Sequence, residues 1–178
     1  FVIPAYNEEK FIGDCLASIL KEVGDFDYEI IVVNNASTDK TREISVQFPS
    51  IKVVDEPHKG LIFARQSGYL ASTGDLVANT DADTRLTPGW VNTVFNEFEE
   101  NQNLSALSGP FVMYDMSKIQ NFWVRFFYFF GFIGYLFNYH ILRVGGMLQG
   151  GNYVFRRSAF EKIGGYDSTF VFYGEDSD

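Results

Sequence analysis

Over the first hundred residues, short apolar runs of strand length alternate with amphipathic stretches of helix length, and this rhythm limits the chain more than any other feature. Phe1-Val2-Ile3 runs through Pro4 into a segment whose apolar residues Phe11, Ile12, Cys15, Leu16, Ile19 and Leu20 recur at helical spacing. Tyr28 to Val33 is a β-branched run of the buried-strand kind. A turn of capping residues, Asn34 to Asp39, leads into a helix to about Phe48, stopped by Pro49. Ile51 to Val54 reads as the third strand, Leu61 to Ala71 as the third helix and Leu76 to Thr80 as the fourth strand. Pro88 opens a helix carrying Trp90, Val91, Val94, Phe95 and Phe98. Such alternation predicts an α/β fold: a mostly parallel sheet with helices on its faces and ligands gathered at the carboxyl ends of the strands.

After residue 104 the rhythm changes. Leu104 to Val112 reads as a strand, residues 117 to 143 as an aromatic-rich helical insertion, and Gly150 to Phe155 as another strand before a short helix ending at Gly164-Gly165. The length, 178 residues, suits one domain. The chain starts on Phe1 and stops at Glu175-Asp176-Ser177-Asp178, which we read as a piece of a single domain, 1–178, truncated at both ends.

Composition closes off other classes. The net charge of −9, without a Lys/Arg block, argues against a nucleic-acid binder, which neutralises phosphates with clustered cations. A 46% hydrophobic content is too rich for disorder. A lone cysteine, Cys15, excludes an internal disulfide framework and fits a reducing, cytoplasmic location. Cys15 lies on the apolar stripe of the first helix and reads as core. His58 and His140 lack the partner spacing of a metal site or a triad.

Among the polar loops, Asp81 and Asp83 stand out. Two carboxylates one residue apart, just past a buried strand, can converge on a hard cation such as Mg²⁺ or Mn²⁺, and they can equally form a solvated turn with a helix cap. A calcium loop of the EF-hand kind is excluded because its sixth position, which needs Gly, is Leu86. The Asn34 to Asp39 loop could read the edge of a nucleobase or cap its helix, and Arg65 could meet a phosphate or pair with an acidic face. Glu175-Asp176 follows Phe170, Phe172 and Tyr173, where a carboxylate against apolar walls can serve as a general base or simply sit at a helix N-terminus.

The order of these elements is more specific than any one of them. Pro4-Ala5-Tyr6-Asn7-Glu8-Glu9, Val32-Val33-Asn34-Asn35-Ala36-Ser37-Thr38-Asp39, Lys59-Gly60 with Ala64-Arg65, Gly68, Gly74-Asp75, Asp81-Ala82-Asp83, Arg156-Arg157, Gly164-Gly165-Tyr166-Asp167 and Glu175-Asp176 together resemble the family 2 glycosyltransferases of the GT-A, Rossmann-like fold. The resemblance spans essentially the whole chain. It implies an inverting transfer of a sugar from a nucleotide-diphosphate sugar to an acceptor hydroxyl, on a lipid-linked or polysaccharide acceptor, with residues 1–100 as the donor-binding half and 101–178 as the acceptor-binding half. By the same resemblance Pro4, Ala5 and Tyr6 cup the nucleobase, Glu8 lies near the ribose, and Asn35 takes the place of an Asp that accepts a hydrogen bond from the base. Here VVNNAS replaces the more frequent VVDDGS-like run. Arg65 is placed near the nucleotide, Asp81 at the ribose and donor sugar, and Asp83, with Asp81, at the metal. Asp176 is the general base, with adjacent Glu175 as the alternative, and Gly150, Gly151 and Asn152 face the acceptor. A nucleotidyltransferase of related fold would want a Gly-rich basic loop after the first strand, where this chain has PAYNEE; a catalytically inactive sugar-nucleotide-binding module is the non-enzyme alternative.

Between Phe122 and Tyr139, 11 of 18 residues are aromatic, with Arg125 among them. The run falls short of the ~20 apolar residues that cross a bilayer. Two readings remain open: the block packs over the sheet as core and acceptor-pocket wall, or it makes peripheral contact with a membrane, at its cytoplasmic face.

Overall fold

The computed structural model describes residues 1–114, 116–143 and 148–166. Its elements follow the order β1 (Val2–Ala5), α1 (Ile12–Val23), β2 (Ile30–Asn34), α2 (Thr41–Ser45), β3 (Ile51–Asp55), α3 (Leu61–Ala71), β4 (Leu76–Thr80), α4 (Trp90–Glu100), β5 (Ala106–Ser108), α5 (Lys118–Phe137), β6 (Asn152–Arg156) and α6 (Arg157–Lys162). The strands form one sheet in the order β3-β2-β1-β4-β6-β5. Neighbours among β3, β2, β1 and β4 pair in parallel, while β6 runs antiparallel to both β4 and β5. The reversal of β6 lays its start beside the carboxyl end of β4, with Asn152 opposite Thr80.

β1 and β2 are buried along their full length, as central strands covered on both faces must be. On one face α1 inserts Ile12, Cys15, Leu16, Ile19 and Val23 against Ile3, Ala5, Ile30 and Val32. The other face, carrying Val2, Ile31 and Val33, takes Ala64 and Tyr69 of α3. At Gly68 this helix touches the sheet so closely that a Cβ would run into Val2 and lie 3.0 Å from Val33 Cγ2, so only glycine fits there.

Several boundaries differ from the sequence reading, the strand read as Gly150 to Phe155 among them, which runs Asn152–Arg156. α2 ends at Ser45 instead of near Phe48, the β2 strand sits at Ile30–Asn34 instead of Tyr28 to Val33, and the strand expected over Leu104 to Val112 shrinks to Ala106–Ser108.

The larger correction concerns the aromatic insertion. Residues 118–137 do form a helix, started by a Ser117–Gln120 capping box, but none of its residues is buried. The expectation that the block packs as core is not met, because its apolar side chains go right round the helix and a sheet can cover only one stripe. Asn121 and Tyr128, seven residues apart on one face, tether it: Asn121 Nδ2 donates to the Met113 carbonyl (2.8 Å), and Tyr128 Oη accepts from Phe111 N (3.2 Å) and Gln149 Nε2 (2.6 Å). Among the described residues no helix is long and apolar enough to cross a membrane.

Candidate active site

The polar loops collect on one edge of the sheet, where β1, β2 and β4 end. After Ala5 the β1 loop is zipped to the β2 loop by polar contacts. Asn7 N donates to Ser37 Oγ (3.2 Å), Thr38 N to Asn7 Oδ1 (2.8 Å), Glu8 N to Thr41 Oγ1 (2.7 Å) and Glu9 N to Asp39 Oδ2 (3.0 Å). The Asn-rich loop thus does more than cap α2. Asn7 and Ala36, at φ 57° and 58°, adopt the left-handed conformation that makes these tight turns.

Tyr6 carries Lys59 Nζ both on its hydroxyl and 4.3 Å above its ring, so the loop before α3 reaches over the end of β1. Asn35 fastens that loop. Its Nδ2 donates to the carbonyls of Glu56 (3.1 Å) and His58 (2.7 Å), and its Oδ1 accepts from Gly60 N (2.9 Å). Both ends of the amide are therefore engaged by backbone and the residue is buried, so as placed it shapes the loop.

Asp81 and Asp83 lie in the turn after β4. Asp81 N donates to the Gly151 carbonyl (3.2 Å), its own carbonyl accepts from Thr84 N (3.0 Å), and Arg65 Nη2 from α3 stands 3.7 Å from Oδ1. The Asp81 side chain is 42% exposed and that of Arg65 15%. Arg65 also lies over the Tyr153 ring at 5.4 Å. Tyr153 Oη is 3.0 Å from Tyr166 Oη, which donates to Asn79 Oδ1 (3.2 Å). Burial pushes both phenols above the usual tyrosine range. Arg65 Nε, Asn79 Nδ2 and Thr80 Oγ1 are buried without a hydrogen-bond partner among the described residues, as are the acceptors Asn34 Oδ1 and Gln66 Oε1, so unmet donors and acceptors both lie at this side of the sheet.

The field here is negative. Burial first, then the charges of Asp83, Asp81 and Glu8, push the Cys15 thiol up to about 12. Cys15 Sγ points at the Asp81 carbonyl (3.7 Å), so it is a buried thiol beneath the turn. The donor set, two carboxylates of one turn, suits a small hard cation shared with a diphosphate. Among the described residues no group of three or more His, Cys, Asp or Glu could hold a metal unaided.

Comparison with known proteins decides the family. The Glycosyl transferase family 2 profile matches residues 1–164. The chain belongs to glycosyl transferase family 2. Among curated members it is 25% identical to the glucosyl-dolichyl phosphate glucuronosyltransferase of Haloferax volcanii, over 94% of this chain and 55% of that protein. It is 38% identical to a dolichyl-phosphate beta-glucosyltransferase of Trichomonas vaginalis, over 56% of this chain and 31% of that one. The chain thus spans about half, or less, of these relatives. Solved structures share the fold. The mannosyltransferase of Pyrobaculum calidifontis, in complex with GDP-Man and Mn²⁺, superposes with a TM-score of 0.62 and 23% identity, over 92% of this chain and 45% of that one. Glucosyl-3-phosphoglycerate synthase of Mycobacterium tuberculosis, with Mn²⁺, UDP-Glc and phosphoglyceric acid, gives 0.61 and 22%, over 88% and 55%.

The chain therefore carries the family 2 signature on a GT-A fold, as the motifs implied. The structure brings Tyr6, Asn35, Arg65, Asp81 and Gly151 to one edge. Asn152 stands at the start of β6, where its Nδ2 donates to the Gly109 carbonyl (3.1 Å) and holds the strand beside it. Glu175 and Asp176 lie outside the described residues. Sequence reasoning missed the Tyr153–Tyr166–Asn79 chain beneath Arg65. The alternation of Asn79 and Thr80 at the end of an otherwise apolar strand was the available signal.

Proposed function

We propose that this family 2 glycosyltransferase moves a sugar, with inversion, from a nucleotide-diphosphate sugar to an acceptor hydroxyl on a lipid-linked or polysaccharide acceptor. The observation that carries the reading is Arg65 and Asp81 meeting at the carboxyl edge, beside the β1 turn, with unmet buried donors around them. Support for the donor comes from fold neighbours solved with UDP-Glc or GDP-Man. Support for a lipid-linked acceptor comes from relatives named for dolichyl phosphate. We read residues 1–178 as one catalytic domain piece, with 1–100 as its donor half and 101–178 as its acceptor half.

In this reading Pro4, Ala5, Tyr6 and Glu8 line the nucleoside, and Asn35 acts through the loop it fastens. Arg65 holds the diphosphate. Asp83 and Asp81 would hold Mg²⁺ or Mn²⁺, which when bound offsets charge on the leaving diphosphate. Asp176, or its neighbour Glu175, takes the acceptor proton as the hydroxyl attacks the anomeric carbon opposite the diphosphate. Gly151 and Asn152 border the acceptor. Residues 122–139 make a peripheral membrane contact, on the cytoplasmic side.

The test is a thermal-shift series with UDP, GDP and TDP, with and without Mn²⁺. A ligand at a hundred times its Kd adds ~2.7 kcal/mol to stability, so one nucleotide should raise Tm by roughly 5–10 °C, more with Mn²⁺ present. If none of the three moves Tm, the donor site is misread. Binding without sugar transfer by the full-length protein would favour the inactive binding module.

A further inference from the structure

The donor site leaves α5 unexplained. Phe127 is 72% exposed, Phe122 62% and Phe129 60%, on different sides of the helix. Nothing among the described residues covers them. The charge of this helix is opposite to that of the whole protein: α5 holds Lys118 and Arg125 and no Asp or Glu, in a chain of net charge −9. Lys118 and Arg125, seven residues apart, share one face of α5. Together with Val112, Asn121 and Phe122 they line a recess of about 370 Å³ at the foot of the aromatic helix. Neither cation is in an ion pair among the described residues.

We propose that α5 lies in the plane of a membrane interface and that this recess binds the phosphate-bearing headgroup of an anionic lipid. The proposal deepens the peripheral contact put forward above and rests on it, but it does not depend on sugar transfer. Aromatic side chains all round a helix suit the interface, where rings settle at headgroup depth, while cations at one edge meet phosphate. A second copy of the chain is the poorer occupant. A twofold contact through α5 would bring Lys118 and Arg125 of both copies to the same surface, where like charges repel. This helix is not long and apolar enough to cross the bilayer.

The experiment is co-sedimentation of the chain with vesicles of phosphatidylcholine alone and of phosphatidylcholine mixed with phosphatidylglycerol. Wild type should bind the mixed vesicles at least about tenfold more tightly, and added salt should weaken the preference. The double variant Lys118→Glu/Arg125→Glu should lose about thirtyfold or more on mixed vesicles and keep its weaker binding to phosphatidylcholine. Trp123→Ser/Phe127→Ser should lose binding to both. Both pairs are exposed, and unchanged circular dichroism and Tm will show that the fold survives. Free glycerol phosphate should not displace the protein from vesicles; displacement would mean a site for soluble phosphate and would overturn the lipid assignment. Equal binding to both vesicle types, indifference to the charge reversal, or a lipid-free dimer abolished by the aromatic variant would also overturn it. The nucleotide thermal shift uses no lipid, so failure of either reading is seen separately.

Discussion

The backbone at Gly151 fills the place beside the Asp81 carboxylate: a Cβ on residue 151 would overlap the Asp81 side chain, and Gly151 itself is at φ 74°. The two residues are seventy positions apart, and the antiparallel register of β4 and β6 joins them. Gly151→Ala must therefore displace the Asp81 side chain that Arg65 pairs with, as well as strain the backbone. We expect kcat/KM to fall by about a hundredfold, the scale of a misplacement of ~1 Å, with a stability loss of roughly 1–3 kcal/mol. A variant with wild-type turnover would show that the position of Asp81 does not matter.

Removal of divalent cations by a chelator should abolish transfer, and Mn²⁺ or Mg²⁺ should restore it. Asp83→Ala should lower kcat by about 10²–10³, the range for loss of one electrostatic stabiliser, with little change in Tm because the side chain is exposed. Full activity of the metal-free enzyme would remove the proposed role of both carboxylates.

Asn35→Asp replaces an amide that donates to two carbonyls by a carboxylate that cannot. The new charge would face the Glu56 and His58 carbonyls, and the loop over Tyr6 would loosen. A loss of roughly 1–3 kcal/mol is expected, seen as a drop in Tm, together with weaker nucleotide binding. Were Asn35 instead a direct reader of the base, the substitution would change base preference at constant stability.

Ala36 occupies a left-handed position at no benefit to its own side chain. Ala36→Gly should stabilise the protein by up to ~1 kcal/mol, measured by urea unfolding, unless the greater entropy of the unfolded glycine offsets the relief. Destabilisation beyond that scale would mean that the Ala36 methyl packs.

Asp55 is held below the usual carboxylate range, first by the hydrogen bond from Asn34 Nδ2 (2.8 Å) and then by Arg42. A depressed carboxylate contributes stability above its unfolded pKa, and that contribution is lost as pH falls through the folded one. Asn34→Ala should raise the Asp55 pKa toward its ordinary value, and its destabilisation at neutral pH should shrink in acid. Unfolding curves at the two pH values, with an NMR titration of the carboxyl carbon, check both statements.

Much of this molecule is written in local pattern. The stripe Ile12, Cys15, Leu16, Ile19 specifies a helix face, the run at Ile30 to Val33 a doubly covered strand, and the position of Asp81-Ala82-Asp83 after a strand puts those carboxylates at the ligand edge of any parallel sheet. Such features depend on neighbours a few residues away, so periodicity reveals them. Other features depend on which distant segments meet. The direction of β6 put Gly151 against Asp81, the 56–60 loop claimed the Asn35 amide, and Tyr153 and Tyr166 came to lie beneath Arg65. The aromatic block was plain in the sequence, but its exposure was not, because an apolar run does not say how much of a sheet is left to cover it. Pairing register and the limited area of a sheet face are properties of the assembled chain, and only the tertiary structure decides them.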